Sequence, residues 1–291
     1  MAFLVFSVLT NAAIYWMFKW FEQLGIRIFQ AIVINYLTAF TLGLLLIPDF
    51  QLAMQGAQHF PNWCTAGLAL GVIFISIFYL MAITAQKVGV GVTTIASKMS
   101  LAMATLLYII AIPEMHLTFS IGAAIFCAVV GVVCSSYKKD STGFHWRFLF
   151  LPLAILLGST VIDFGIGWFS AFPENDSEEA LFSCLSFGTA FITGIGVMLW
   201  RFSQGLEGWR VRDVLAGVFL GVVNYGSILF LVKSYNSGVF SQAVTLAVNN
   251  LSVVLFGALG AAFIFKEKIS KLNFLGLCFS ILAIYLMIQV E

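Results

Sequence analysis

Residues 67–86 read GLALGVIFISIFYLMAITAQ, and residues 217–236 read GVFLGVVNYGSILFLVKSYN. Each opens on a glycine pair four apart, Gly67 with Gly71 and Gly217 with Gly221, and the second pair stands 150 positions after the first. Each pair is a GxxxG, which lets another helix backbone approach closely. A similar apolar stretch follows in both, VIFISIF in one and VVNYGSILF in the other, and then a short break at VGVG or NSGV. These stretches are continuous rather than alternating, so they read as buried helices and not as strands of a barrel. Their recurrence points to a duplicated unit.

The rest of the chain has the same character. A helix needs about 20 apolar residues to cross a bilayer core. Runs of that kind fall at roughly 2–18, 28–47, 63–83, 91–112, 119–136, 148–169, 181–200, 214–233, 239–263 and 272–289. A bilayer core offers no water to the backbone, and a helix satisfies its own peptide groups. The expected fold class is therefore an all-α integral membrane protein with ten transmembrane helices. The 291 residues are 61% hydrophobic and 9% charged, with mean hydropathy +1.03, against about 25% charged in soluble domains. A net charge of +1, with no basic patch interleaved with aromatics, gives no reason to expect a nucleic-acid partner. Cys64, Cys127, Cys134, Cys184 and Cys278 lie in apolar runs without metal-ligand or disulfide spacing, and read as small hydrophobes. Met1–Phe18 lacks a basic leader and a small-residue cleavage site, so it reads as the first span.

Lys and Arg favour cytoplasmic loops. The odd-numbered loops hold Lys19 and Arg27, then Lys87, then Lys138, Lys139 and Arg147, then Arg201, Arg210 and Arg212, and last Lys266, Lys268 and Lys271. Even-numbered loops have only Lys233 at a helix end, and the sixth carries Glu174, Asp176, Glu178 and Glu179. Odd loops are thus expected on the cytoplasmic side of an inner (plasma) membrane, with both termini outside.

A second match extends the repeat. PEMHLTFSIGAA (113–124) parallels FKEKISKLNFLGLC (265–278), each with a glutamate at the turn (Glu114, Glu267) and a glycine early in the next span (Gly122, Gly276). The halves are read as 1–137 and 148–291, five helices each, joined by a cytoplasmic linker over 138–147. Five is odd, so the second half enters the membrane inverted, the arrangement of alternating-access transporters. A duplicated scaffold that moves nothing is the bland alternative.

The hairpin AAFIFKEKISKLNFLGLCFSILAIYLM (261–287) and the opening YWMFKWFEQLGIRIFQAIVINYLTAF (15–40) resemble the drug/metabolite transporter superfamily, EamA type. The resemblance covers essentially the whole chain, through hydropathy, glycines and the glutamate turn. It implies a carrier of amino acids, other metabolites or lipophilic drugs, often moving them outward. The chain departs from the family in two ways. Members are drawn with both termini in the cytoplasm, and the first-half turn PEMHL lacks the basic residues that flank Glu267.

An ionisable residue inside a span costs at least roughly 2.5–3.5 kcal/mol on insertion scales and faces a cavity or a partner. Lys98 lies in TTIASKMS of the fourth span, and Asp163 in GSTVIDFGIG of the sixth. Asp163 reads either as a carboxylate that takes a proton or binds a substrate cation, or as a structural partner of Lys98 or of a packing helix. Lys98 reads either as the counter-ion of a substrate carboxylate or as a side chain snorkelling to the cytoplasmic face. Helical rise sets Asp163 about 10 Å deeper than Lys98, which favours two separate positions in one cavity.

Neutral polar residues suggest the remaining lining: Thr10 and Asn11, Asn35 and Tyr36, Asn224 and Tyr225, and ninth-span Gln242, Thr245, Asn249 and Asn250. Singly, each reads as an interhelical hydrogen-bonding group. Together they read as a substrate- or ion-binding surface, with Thr93, Thr94, Ser97 and Lys98 as the fourth-span counterpart of the ninth-span stretch. Trp16, Trp20, Trp63, Trp146, Trp200 and Trp209 stand near span ends, as an interfacial belt would. Trp168 belongs to that belt or to a cavity mouth.

No phosphate loop, GxSxG elbow or HExxH appears, and His59, His116 and His145 stand singly. The expectation is a non-enzyme without cofactor or metal: a secondary transporter of small metabolites, amino acids or related compounds, exporting by alternating access and coupled to protons. A multidrug or lipophilic-cation efflux carrier and an ungated facilitator are the nearest alternatives. The expected partners are the solute, protons and the lipid bilayer, with the chain a monomer or a homodimer. The fifth and tenth spans, uniformly apolar, are expected to pack or to form a dimer contact.

Overall fold

The computed structural model describes residues 1–112, 116–137, 139–140, 143–144, 147–169, 172–205, 210–240 and 242–289. Glu114, Lys138, His145, Trp146 and Trp209 lie outside the described residues. The helices are α1 (Ala2–Gln23), α2 (Ile28–Leu45), α3 (Phe50–Ala57), α4 (Asn62–Lys87), α5 (Val90–Lys98), α6 (Ser100–Ala111), α7 (Phe119–Ser135), α8 (Arg147–Phe169), α9 (Asp176–Ser203), α10 (Val211–Tyr235), α11 (Gln242–Leu259) and α12 (Lys271–Ile288). A π turn over Gly260–Ile264 continues α11. Two short strands, β1 (Lys139–Asp140) and β2 (Gly143–Phe144), pair antiparallel between α7 and α8.

Among the described residues nine helical stretches are long and apolar enough to cross a bilayer, α5 and α6 counted as one. α7, with 17 residues, sits at the lower limit for a span. Each expected apolar run falls on one of these helices. Large hydrophobic side chains in mid-helix stay uncovered, among them Phe126 at 65%, Ile192 at 69% and Phe219 at 62% exposure. Apolar surface of that extent requires lipid around it. The chain is a multi-pass membrane protein.

Four local features were not anticipated. α3 is a short extra helix whose N-terminus is capped by Asp49, which accepts from the Leu52 amide at 3.0 Å. Beneath it Trp63 is buried with Ile47, Ala53, Cys64, Leu70 and Phe182, so Trp63 fills a core instead of joining an aromatic belt. Three of the acidic residues assigned to the sixth loop, Asp176, Glu178 and Glu179, form the first turn of α9, where carboxylates complement the helix dipole. Glu178 is buried there, accepting from the Asn175 amide side chain at 2.9 Å and the Glu174 backbone at 3.0 Å. The fourth span is not continuous: Met99 separates α5 from α6. The hydroxyls of Thr93, Thr94, Ser97 and Ser100 each donate to a carbonyl three or four residues back. Such back-bonds compete with the helical ladder and bend it.

The chain packs as two compact units, Met1–Trp20 with Leu80–Phe164 and Gly226–Glu291, and Phe21–Tyr79 with Gly165–Tyr225. Neither unit coincides with a sequence half, since each takes segments from both.

In the second of these units α2 lies along α9. The GxxxG of α4 sits on α9, where a methyl at Gly67 would lie 3.1 Å from the Phe182 carbonyl and one at Gly71 would collide with the Ser186 carbonyl. The GxxxG of α10 sits on α2, where methyls at Gly217 and Gly221 would lie 2.6 Å from the Ala31 carbonyl and 2.8 Å from the Asn35 carbonyl. Asp213, in the first turn of α10, accepts from the Arg27 amide at the start of α2 (3.0 Å).

In the first unit the most extensive pairing is α7 with α12. Gly131 meets Gly276 and Ser280 there, and Gly276 meets the Ser135 backbone. Ser270 and Asn273 form a capping box at the start of α12. The Asn273 amide also donates to the Ser135 and Tyr137 carbonyls (2.5 and 3.0 Å), closing the C-terminus of α7. α5 packs against α11, with Gly257 seated on Thr94.

Candidate functional site

The break between α5 and α6 organises the polar residues of the first unit. Ser100 opens α6 and is buried. Its hydroxyl reaches Asp163 Oδ2 on α8 at 2.5 Å and, on its other side, the Ser97 carbonyl. Ser97, buried on the last turn of α5, shares a 2.6 Å hydrogen bond with the Tyr15 hydroxyl of α1. Lys98 lies between the two serines in sequence, close enough to Asp163 for their charges to attract. Ser100, and not Lys98, supplies the hydrogen bond to that carboxylate. Lys98 also borders a narrow apolar crevice with Leu101, Ala102, Ala283, Ile284 and Met287.

Three tyrosines complete the surroundings of the carboxylate, for Tyr15, Tyr108 on α6 and Tyr235 at the end of α10 all sense its charge. Tyr108 donates to the Phe164 carbonyl, one residue beyond Asp163, at 3.1 Å. Lys98 and Asp163 were expected about 10 Å apart in depth. The structure brings Asp163 onto Ser100, two residues beyond Lys98, at the point where the fourth span breaks.

The α1 face that carries Asn11 runs from Ser7 to Tyr15 at helical spacing. Ser7 is buried and donates to Asn249 Oδ1 on α11 and to the Ser227 carbonyl on α10, both at 3.1 Å. Thr245, Asn249 and Asn250 are buried on α11, whereas Gln242 is exposed at its start. The amide nitrogen of Asn249 has no partner among the described residues. Thr10 turns back onto its own helix, donating to the Phe6 carbonyl at 2.6 Å. The Trp16 indole abuts Gly260 at the start of the π turn, and its buried N–H has no partner among the described residues.

Asn35, Tyr36, Asn224 and Tyr225 fall in the second unit. The Asn35 side chain is fully buried, and neither amide atom has a partner among the described residues. Tyr36 packs among Phe78 and Phe187 as a core residue. Asn224 is buried on α10, and Tyr225 approaches Gly43 of α2. Gly67, Gly71, Gly217 and Gly221 lie in the helix contacts described above.

Sequence reasoning passed over Tyr15, Ser100, Tyr108 and Tyr235. Two had a signal. Tyr15 follows Ser7 and Asn11 at four-residue steps, and Ser100 continues the 93, 94, 97 series of hydroxyls at the same helical spacing. Among the described residues no group of three or more His, Cys, Asp or Glu is placed to hold a metal ion.

No protein-family model matches the chain. An uncharacterized protein of Haemophilus influenzae is 26% identical over 291 aligned residues, which span 97% of this chain and 96% of that protein. The likeness thus runs from end to end of both.

Proposed function

We propose that this chain is a secondary transporter of small metabolites, amino acids or related compounds, exporting them by alternating access with Asp163 carrying the coupled proton. The observation that carries this reading is the charged cluster at an interrupted span: Asp163 on Ser100, beside Lys98, inside an apolar protein. Discontinuous helices are where transporters place ion and substrate groups, because freed backbone and side-chain polar groups gather there. An ionisable residue at membrane depth has functional use as its default explanation.

The inverted repeat belongs to the same proposal. Its support is an exchange of partners: α4 seats its GxxxG on α9, and its counterpart α10 seats its own on α2, the counterpart of α9. Counterparts also pack on each other as α2 with α9, α5 with α11 and α7 with α12. Membership of the drug/metabolite transporter superfamily rests on the resemblance of the two hairpins. A cytoplasmic position for the odd loops, in an inner membrane, rests on the lysine and arginine bias. Within the second unit Arg212 donates to the Leu24 carbonyl and Arg201 lies over Phe29, gathering those loops at one end.

The test is flux. Purified protein in liposomes loaded with a pH-sensitive dye is offered single amino acids and related metabolites under an imposed pH gradient. Solute-dependent proton movement, and accumulation driven by the gradient, is the expected result. Solute movement without gradient-driven accumulation indicates a facilitator, proton-coupled movement of lipophilic cations alone indicates the drug-efflux reading, and no movement of any solute removes the transport proposal.

A further inference from the structure

The geometry points to Ser100 as a positioning residue that couples the protonation state of Asp163 to the helix break at Met99. The inference rests on the proposal that Asp163 takes up and releases a proton. The Ser100 hydroxyl has one hydrogen and faces two acceptors, the Asp163 carboxylate at 2.5 Å and the Ser97 carbonyl. It can donate fully to only one of them at a time, while its oxygen remains able to accept.

When Asp163 is ionised, its charge draws the hydrogen, because bonds to a carboxylate are stronger than bonds to a neutral carbonyl. The Ser97 carbonyl is then released by the hydroxyl. When Asp163 gains a proton, its own O–H donates to Ser100 Oγ, and the serine hydrogen turns onto the Ser97 carbonyl. The back-bond at the break is then complete, and back-bonds of this type weaken and bend a helix. The proton stays on Asp163 throughout, and only hydroxyl orientations change.

The surroundings hold the other groups in place. Tyr15 occupies the Ser97 hydroxyl at 2.6 Å, so that side chain is already bonded. The titratable groups facing Asp163 are Lys98 on α5, Tyr15 on α1, Tyr108 on α6 and Tyr235 on α10.

Two measurements on the full chain in lipid nanodiscs test the relay without any solute. Infrared titration follows the protonated-carboxyl band, assigned to Asp163 by its loss in Asp163→Asn. Hydrogen exchange of residues 99–103, corrected for intrinsic pH dependence, is read on either side of that titration. In the wild type, protonation should speed exchange roughly fivefold, the worth of one net hydrogen bond. Ser100→Ala should keep the titrating band but lose the pH-dependent change in exchange, and Ser100→Thr should restore it. A band that titrates while exchange changes equally in wild type and Ser100→Ala overturns the relay and leaves proton coupling standing. An offset in exchange that Ser100→Ala imposes by the same factor at every pH, with the pH-dependent change kept, also overturns it and assigns Ser100 a purely structural role. No titrating band from Asp163 overturns both the relay and the proton-coupled reading.

Discussion

The α7–α12 pair and the α5–α6 span stand in the same compact unit, and they use the same small polar side chains to opposite ends. Between α7 and α12, glycines bring two backbones together and Asn273 closes the loose carbonyls of the partner helix. Ser135 and Ser280 bond back to carbonyls of their own helices, yet neither helix breaks. In α5 the same back-bonds run in close series through Thr93, Thr94 and Ser97, and the span breaks at Met99 beside Lys98. One region sets its back-bonded serines in a close glycine contact and stays continuous, and the other breaks where charges collect. Membrane helices lack a hydrophobic drive toward one another, so packing and hydrogen bonds decide which contacts hold.

The contrast predicts where substitutions act. The largest effect is expected at the loosened region: Asp163→Asn should abolish pH-driven flux in proteoliposomes while leaving thermal stability within about 1 kcal/mol, since an amide can still accept from Ser100. Retained pH-driven flux would remove the functional side of the comparison. At the packed pair, Gly276→Val should destabilise by about 2–3 kcal/mol through overpacking against the Gly131 and Ser135 backbone, read as a fall in melting temperature in detergent. Next comes Asn273→Ala, which removes a cap and leaves α7 carbonyls without that donor, for about 1–2 kcal/mol in the same assay. The smallest effect is expected at Gly122, where an added methyl meets nothing within 4 Å. Gly122→Ala should be neutral or stabilising by up to about 1 kcal/mol. A large loss there would mean that the α7 glycines act through something other than close approach.

The packed regions were the more legible. Glycine spacing and uninterrupted hydropathy are properties of a single helix, and Gly67, Gly71, Gly217, Gly221 and Gly276 stand in helix contacts. The break at Met99 was hidden because a hydropathy window averages over it, although the hydroxyl series at 93, 94, 97 and 100 records it. Trp63 was misread because aromatic position in a span does not reveal that α3 covers it. The partner of Asp163 depends on how α8 meets α6 across 63 positions of sequence, and rise along one helix carries no information on that. The short α3 escaped because a search for spans passes over helices that cannot cross a bilayer, even with Asp49 marking its start.

The interleaving of the two units also has a consequence for biogenesis. α2 packs along α9 and α7 along α12, partners from opposite halves of the chain. At about 5–20 residues per second of synthesis, α2 leaves the ribosome on the order of ten seconds before α9 exists. During that interval its glycine-receiving face has only lipid or insertion factors to cover it. The first half must therefore wait in the bilayer as an incomplete bundle, and α2 and α7 acquire these partners only as the second half is threaded in.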